Sequence, residues 1–112
     1  MRMCKCSRNS FLSYYKRGGI YGDLKQYDKA VADYSKYIDF NPNVSYGYGK
    51  RGVTLTEMQN YSQAITDLNK SIELGLNEGE VFYNRGKCYK KSGYNEQADE
   101  DFANAKELGC NG

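Results

Sequence analysis

Histidine and tryptophan are missing from this 112-residue chain, and proline occurs once, at Pro42. Without histidine the chain lacks the commonest general base and the commonest metal ligand together. It also has no glycine-rich phosphate loop and no nucleophile beside a plausible base, so it reads as non-enzymatic and free of cofactor or metal. No stretch approaches the ~20 apolar residues that span a bilayer. The opening MRMCKCSRNSFL has no continuous apolar run of the kind a secretory signal needs. A cytoplasmic protein is the expectation. Neither sign of charge dominates, because 16 Lys+Arg against 14 Asp+Glu leave a formal net charge of +2, too little to argue for nucleic acid or membranes. The four cysteines, Cys4, Cys6, Cys88 and Cys110, show no CxxC pair. They read as free thiols, Cys88 as a small packing residue, with a Cys4/Cys6 metal clip the lesser reading.

What is present is a repeat. Residues 11–44, 45–78 and 79–112 align without gaps. Aromatics coincide at Tyr14, Tyr48 and Phe82, followed by Arg17-Gly18, Arg51-Gly52 and Arg85-Gly86. Then come Tyr21, Leu55 and Tyr89; Ala30, Ala64 and Ala98; and Tyr34, Leu68 and Phe102. Each unit holds two segments of helical spacing, which in the middle copy run roughly from Tyr46 to Glu57 and from Tyr61 to Leu74. Met58-Gln59-Asn60 separates them. Pro42 ends the preceding helix near Phe40, and Gly75 and Gly79 are expected to break the chain before the third copy. Small residues let paired helices approach, so Gly18, Gly52 and Gly86 are expected against Ala30, Ala64 and Ala98. Each arginine is followed sixteen residues on by an aspartate, at Asp33, Asp67 and Asp101, which predicts three cross-helix ion pairs.

The order Tyr14, Gly18, Tyr21, Ala30, Tyr34, Pro42, repeated with the same spacing, resembles the tetratricopeptide signature across about nine-tenths of the chain. Two departures are visible: Leu76 replaces the proline in the second copy, and Tyr94 stands one place earlier than Tyr27 and Tyr61. The resemblance implies an all-α, right-handed superhelical solenoid of three antiparallel helix-turn-helix repeats, forming one domain over residues 11–112. Residues 1–10 read as a flexible basic arm carrying Arg2, Lys5 and Arg8, with Asn9 and Ser10 as caps of the first helix. In the last helix Asp99 and Lys106 replace Val31/Ile65 and Ile38/Ile72, as in a terminal unit. The array is therefore read as ending there, with a piece of a longer array as the alternative.

The resemblance also implies a concave groove lined by the first helices, here showing Tyr15, Lys16, Tyr46, Lys50, Val53, Tyr83, Asn84 and Lys87. Gly19, Gly49, Glu80 and Lys91 are expected beside them, the glycines widening the floor. The expected function is a protein-interaction scaffold or adaptor that takes a peptide or a partner helix. Members that grip the carboxylate of chaperone tails use Lys and Asn, then Asn, then Lys and Arg. The matching residues here are Tyr15, Gly19, Lys50, Glu80 and Asn84, so that clamp is not expected. An RNA-binding helical repeat is the alternative, with tyrosines stacking bases and lysines meeting phosphates; the 34-residue period and the near-neutral charge count against it. A consensus-like sequence with no evolved partner stays open. The uncovered first unit offers Phe11, Tyr14 and Tyr21 to a second copy as a homodimer contact.

Overall fold

Among the described residues six helices form, and the chain reverses inside each unit through a turn of one repeated geometry. The computed structural model describes the backbone of residues 2–109 and the side chains of residues 12–109. The helices are α1 (Arg2–Asp23), α2 (Tyr27–Phe40), α3 (Ser45–Glu57), α4 (Tyr61–Glu73), α5 (Gly79–Lys91) and α6 (Asn95–Glu107). Consecutive helices pack as antiparallel pairs, neighbouring pairs stack, and α3 also touches α5. The result is the right-handed superhelical solenoid of three repeats, extended over 52 × 26 × 21 Å. Because α1 begins at Arg2, Asn9 and Ser10 lie inside it instead of capping it, and residues 2–10 of the segment set apart as an arm are part of that helix. The Cys4/Cys6 clip, the basic side chains of that segment, the Phe11 contact and Cys110 lie outside the described residues.

The turn within each unit is set by one residue in the left-handed region: Lys25 (φ 62°), Gln59 (φ 65°) and Gly93 (φ 90°). The next amide then bonds back to a carbonyl of the last helical turn, Gln26 to Tyr21, Asn60 to Leu55 and Tyr94 to Tyr89, at 2.8–2.9 Å. This is the Schellman arrangement, which satisfies carbonyls that the helix end leaves open. The same three residues receive the amides of Ala30, Ala64 and Ala98 and so begin the next helix. The shifted tyrosine at Tyr94 therefore leaves the turn unchanged. Between units the chain has two solutions. Asn41 and Pro42 end α2, whereas Gly75 at φ 102° closes α4 with Leu76 bonded back to Ser71 at 3.0 Å. Gly79 does not break the chain; it is the buried first residue of α5.

The paired helices meet at the glycines, where the nearest atoms belong to the large residue of the facing helix. A Cβ built on Gly52 would stand 2.7 Å from Leu68 Cγ, one on Gly18 2.9 Å from the Tyr34 ring, and one on Gly86 2.8 Å from the Phe102 ring. The glycine's close neighbour is thus the residue four places after the alanine. Ala30, Ala64 and Ala98 are fully buried or nearly so. Leu55, Ala64, Leu68, Leu76, Val81 and Cys88 form the central core, with Val31, Val53, Ile65 and Ile72 packed on it. Cys88 fills space as expected, its Sγ 3.3 Å from the Thr56 hydroxyl, and burial pushes its thiol pKa up. Asp99 and Lys106, at the positions of Ile65 and Ile72, are exposed.

All three arginine–aspartate pairs form, each two-pronged. Arg51 Nε and Nη2 donate to Asp67 at 2.7 and 2.9 Å, Arg17 to Asp33 at 2.8 and 2.9 Å, and Arg85 to Asp101 at 2.8 and 2.8 Å. The aspartates are almost wholly buried. Aromatic rings cover the guanidinium groups: Tyr14 and Tyr21 flank Arg17, Tyr48 lies beside Arg51, and Phe82 and Tyr89 flank Arg85, all at 5.5–6.0 Å. The later arginines also reach back one unit, Arg51 to the Ser35 hydroxyl at 3.1 Å and Arg85 to Asn69 Oδ1 at 2.9 Å. Arg17 has no preceding unit in the structure, and its side chain is 55% exposed against 25% for Arg51.

Two predictions follow from this packing. Gly52→Ala overpacks Leu68, whose backbone nitrogen lies only 3.2 Å from the added carbon, and should lower the denaturant-derived stability by about 1–3 kcal/mol. Gly22→Ala has open space around its added carbon and should be neutral or stabilising by up to ~1 kcal/mol. A double-mutant cycle on Arg51 and Asp67 should give a coupling of ~0.5–3 kcal/mol. The more exposed Arg17–Asp33 pair should couple less strongly, and a coupling near zero for Arg51–Asp67 would mean that the pair does not fix the helix pairing.

Candidate functional site

Positions Gly19, Gly22 and Asp23 lie on one face of α1, three and four residues on from the first of them, the spacing that keeps a helix face in line. The same positions on α3 are Val53, Thr56 and Glu57, and on α5 Lys87, Lys90 and Lys91. Two clefts lie along this face. The first, about 400 Å³, is lined by Gly19, Gly22 and Asp23 of α1, Tyr34 of α2, Lys50, Val53 and Glu57 of α3, and Glu80 of α5, with Lys25 and Tyr27 at its edge. The second, about 550 Å³, is lined by Thr56, Glu57, Gln59 and Tyr61, by Lys87, Lys90 and Lys91 of α5, and by Phe102 of α6. The clefts differ in charge. The first holds Asp23, Glu57 and Glu80 against Lys25 and Lys50; the second holds three lysines against Glu57.

The sequence-derived groove residues fall into three groups. Lys50 and Val53 line the first cleft with Gly19 and Glu80, and Lys87 lines the second with Lys91. Lys50 Nζ lies 3.6 Å from Glu80 Oε1, and Lys87 Nζ sits 5.1 Å above the Tyr83 ring, which tilts against Phe102 at 5.6 Å. Tyr46 is 48% exposed and Lys16 is exposed, but neither lines the two clefts. Tyr15 and Asn84 are turned into the structure. Tyr15 packs on Tyr37 at 4.9 Å and on Tyr34 at 5.9 Å. Asn84 is 4% exposed, its Nδ2 donating to the Glu80 carbonyl at 2.8 Å and its Oδ1 without a partner. Gly49 does not widen the groove floor: it is buried, and an added Cβ would meet Leu76 at 2.8 Å. Asp23, Glu57, Lys90, Tyr61 and Phe102 were not foreseen. For Asp23, Glu57 and Lys90, following the face of Gly19, Val53 and Lys87 one further turn would have found them.

Among the described residues no group of three or more His, Cys, Asp or Glu could hold a metal ion, and no helix is long and apolar enough to cross a membrane.

Family models described as tetratricopeptide repeat match residues 11–44, and 46–74 with 79–108. Comparison with curated proteins gives no match. Among solved structures, the second such domain of Spaghetti (RPAP3), bound to the HSP90 peptide SRMEEVD, is 21% identical with a TM-score of 0.84, covering 95% of this chain and 98% of that one. The Arabidopsis OM64 domain is 23% identical with a TM-score of 0.85 over 90% of this chain and 84% of its own. MamA of AMB-1 is 30% identical with a TM-score of 0.71 over 81% of this chain and 50% of its own.

The tyrosines beneath the first cleft give it a pH signature. Burial raises the pKa of Tyr34 to about 12, with Tyr15 and nearby carboxylates adding to the effect, and burial likewise raises Tyr15 and Tyr37. An unfolded tyrosine titrates near about 10. Between these values the unfolded chain releases protons that the folded chain keeps, so stability present below pH ~10 is lost as pH rises toward ~12, by at most ~1.4 kcal/mol per pH unit per group. Urea unfolding at stepped alkaline pH should show this fall, with a shallower slope in Tyr34→Phe. Equal slopes would contradict the burial of that hydroxyl.

Proposed function

The chain belongs to the tetratricopeptide repeat family, and from that premise we propose that it acts as a protein-interaction scaffold whose first helices hold an extended peptide or a partner helix. The observation that carries this reading is the first cleft, where residues of α1, α3 and α5 from all three repeats converge on one recess. Such a recess suits a ligand that runs across the units. Half-exposed Tyr46 adds an amphipathic ring near the amino end of α3, the kind of anchor that interfaces favour. That the Spaghetti domain carries a bound HSP90 peptide supports a peptide ligand here as well.

The groove chemistry argues against a ligand held by its terminal carboxylate. At the positions of the clamp, Lys50 is engaged by Glu80, Tyr15 packs on other tyrosines and Asn84 is buried. Glu80 would repel an incoming carboxylate. Recognition then depends on side chains along the ligand.

Affinity capture with the full chain tests this, run beside a Tyr46→Ala, Lys50→Glu double variant whose helicity is checked by circular dichroism. A protein retained by the wild type and lost from the variant is the expected result. A partner profile identical for both would remove the groove from the binding surface.

A further inference from the structure

Three lysines in the second cleft have no structural task in the repeat. The matching residues are Val53, Thr56 and Glu57 in the second unit and Gly19, Gly22 and Asp23 in the first, and both units form the same helix pair. Cations do favour helix carboxyl ends, yet α1 and α3 carry no basic residue in their last turns and end through the same turn. Lys87 with Lys90, and Lys87 with Lys91, are like-charge neighbours on one helix face, an arrangement that weakens a helix.

Nothing in the described structure neutralises them. The ion pairs among the described residues are Arg17–Asp33, Lys50–Glu80, Arg51–Asp67 and Arg85–Asp101. Glu57 lines the same cleft without closing on any lysine. Lys87 is held over Tyr83, so its charge is positioned at the cleft wall. Phe102 and Tyr61 give the cleft aromatic surface, and about 550 Å³ is room for a few side chains.

We propose that this second cleft docks an acidic peptide segment, whose Asp and Glu side chains meet Lys87, Lys90 and Lys91 while an apolar side chain rests against Phe102. The proposal deepens the scaffold reading, on which it rests, by giving the ligand a chemistry. The first cleft sets Asp23, Glu57 and Glu80 against Lys25 and Lys50, with Lys50 already paired to Glu80, so its balance is acidic and directs the acidic part of the ligand to the third repeat.

The test uses the full chain and a fluorescein-labelled peptide of Asp, Glu and Phe residues with an amidated carboxyl end, beside the same peptide carrying Asn and Gln. Fluorescence anisotropy should show the acidic peptide binding about tenfold tighter or more, with a preference that shrinks as salt rises. Lys90→Glu with Lys91→Glu should cost about tenfold or more in affinity for the acidic peptide, while Lys36→Glu at an exposed position of α2 leaves it unchanged. Both lysines are exposed, and the folding of the variant is checked by circular dichroism. Equal affinity for the two peptides, no effect of the charge reversal, or equal competition by a single-stranded RNA oligomer would each overturn the proposal. If the neutral peptide binds, survives the lysine reversal and is lost from the Tyr46→Ala, Lys50→Glu variant, the acidic site fails while the groove reading stands.

Discussion

The helix pairs depend on a missing carbon. At Gly52 the absent Cβ lets α4 come close enough for Leu68 to lie on the α3 backbone, and the same contact recurs at Gly18 and Gly86. Each glycine follows an arginine, and each partner follows an aspartate. The close approach therefore brings Arg51 and Asp67 to bidentate distance in the same stroke. An apolar contact without this pair would tolerate sliding along the helices. A buried carboxylate that must meet a guanidinium fork tolerates little, because its desolvation is costly when the fork is displaced. The pair is better understood as fixing register than as a large net source of stability.

The same arginines set the stacking of the units, since Arg51 and Arg85 each reach a polar side chain one repeat earlier. Residues two places after the arginine lie about 200° away around the helix, on the side where the two clefts open. One side of each first helix is thereby committed to the fold. The other varies without disturbing it, from Gly19 to Val53 to Lys87 and from Asp23 to Glu57 to Lys91. That division lets the fold stay constant while the side chains of the cleft face change from unit to unit.

Much of the fold was legible in the sequence because repetition reveals which positions matter. The helix limits of the middle unit, the breaks at Pro42 and Gly75, the arginine–aspartate pairs and the buried Cys88 all followed from spacing and residue size. Repetition does not reveal which repeated position crosses to which. Gly52 and Ala64 both recur, yet the atoms nearest the glycine belong to Leu68, four residues past the alanine. The candidate site was less legible. Gly49 and Asn84 occupy first-helix positions near the groove face but are buried, by Leu76 in one case and by a bond to the helix's own backbone with the surrounding packing in the other. Family position indicates a face, and neighbouring side chains decide which members of that face reach solvent.

The two sorts of hydrogen bond made by Arg51 and Arg85 are unequal, and the inequality has a mechanical meaning. Within a unit the guanidinium holds a buried carboxylate with two charge-assisted bonds; between units it holds a neutral oxygen with one. A load along the 52 Å axis meets stiff blocks joined by softer seams. The polar bonds alone would therefore let the curvature of the array yield at the seams before the helix pair of a unit comes apart.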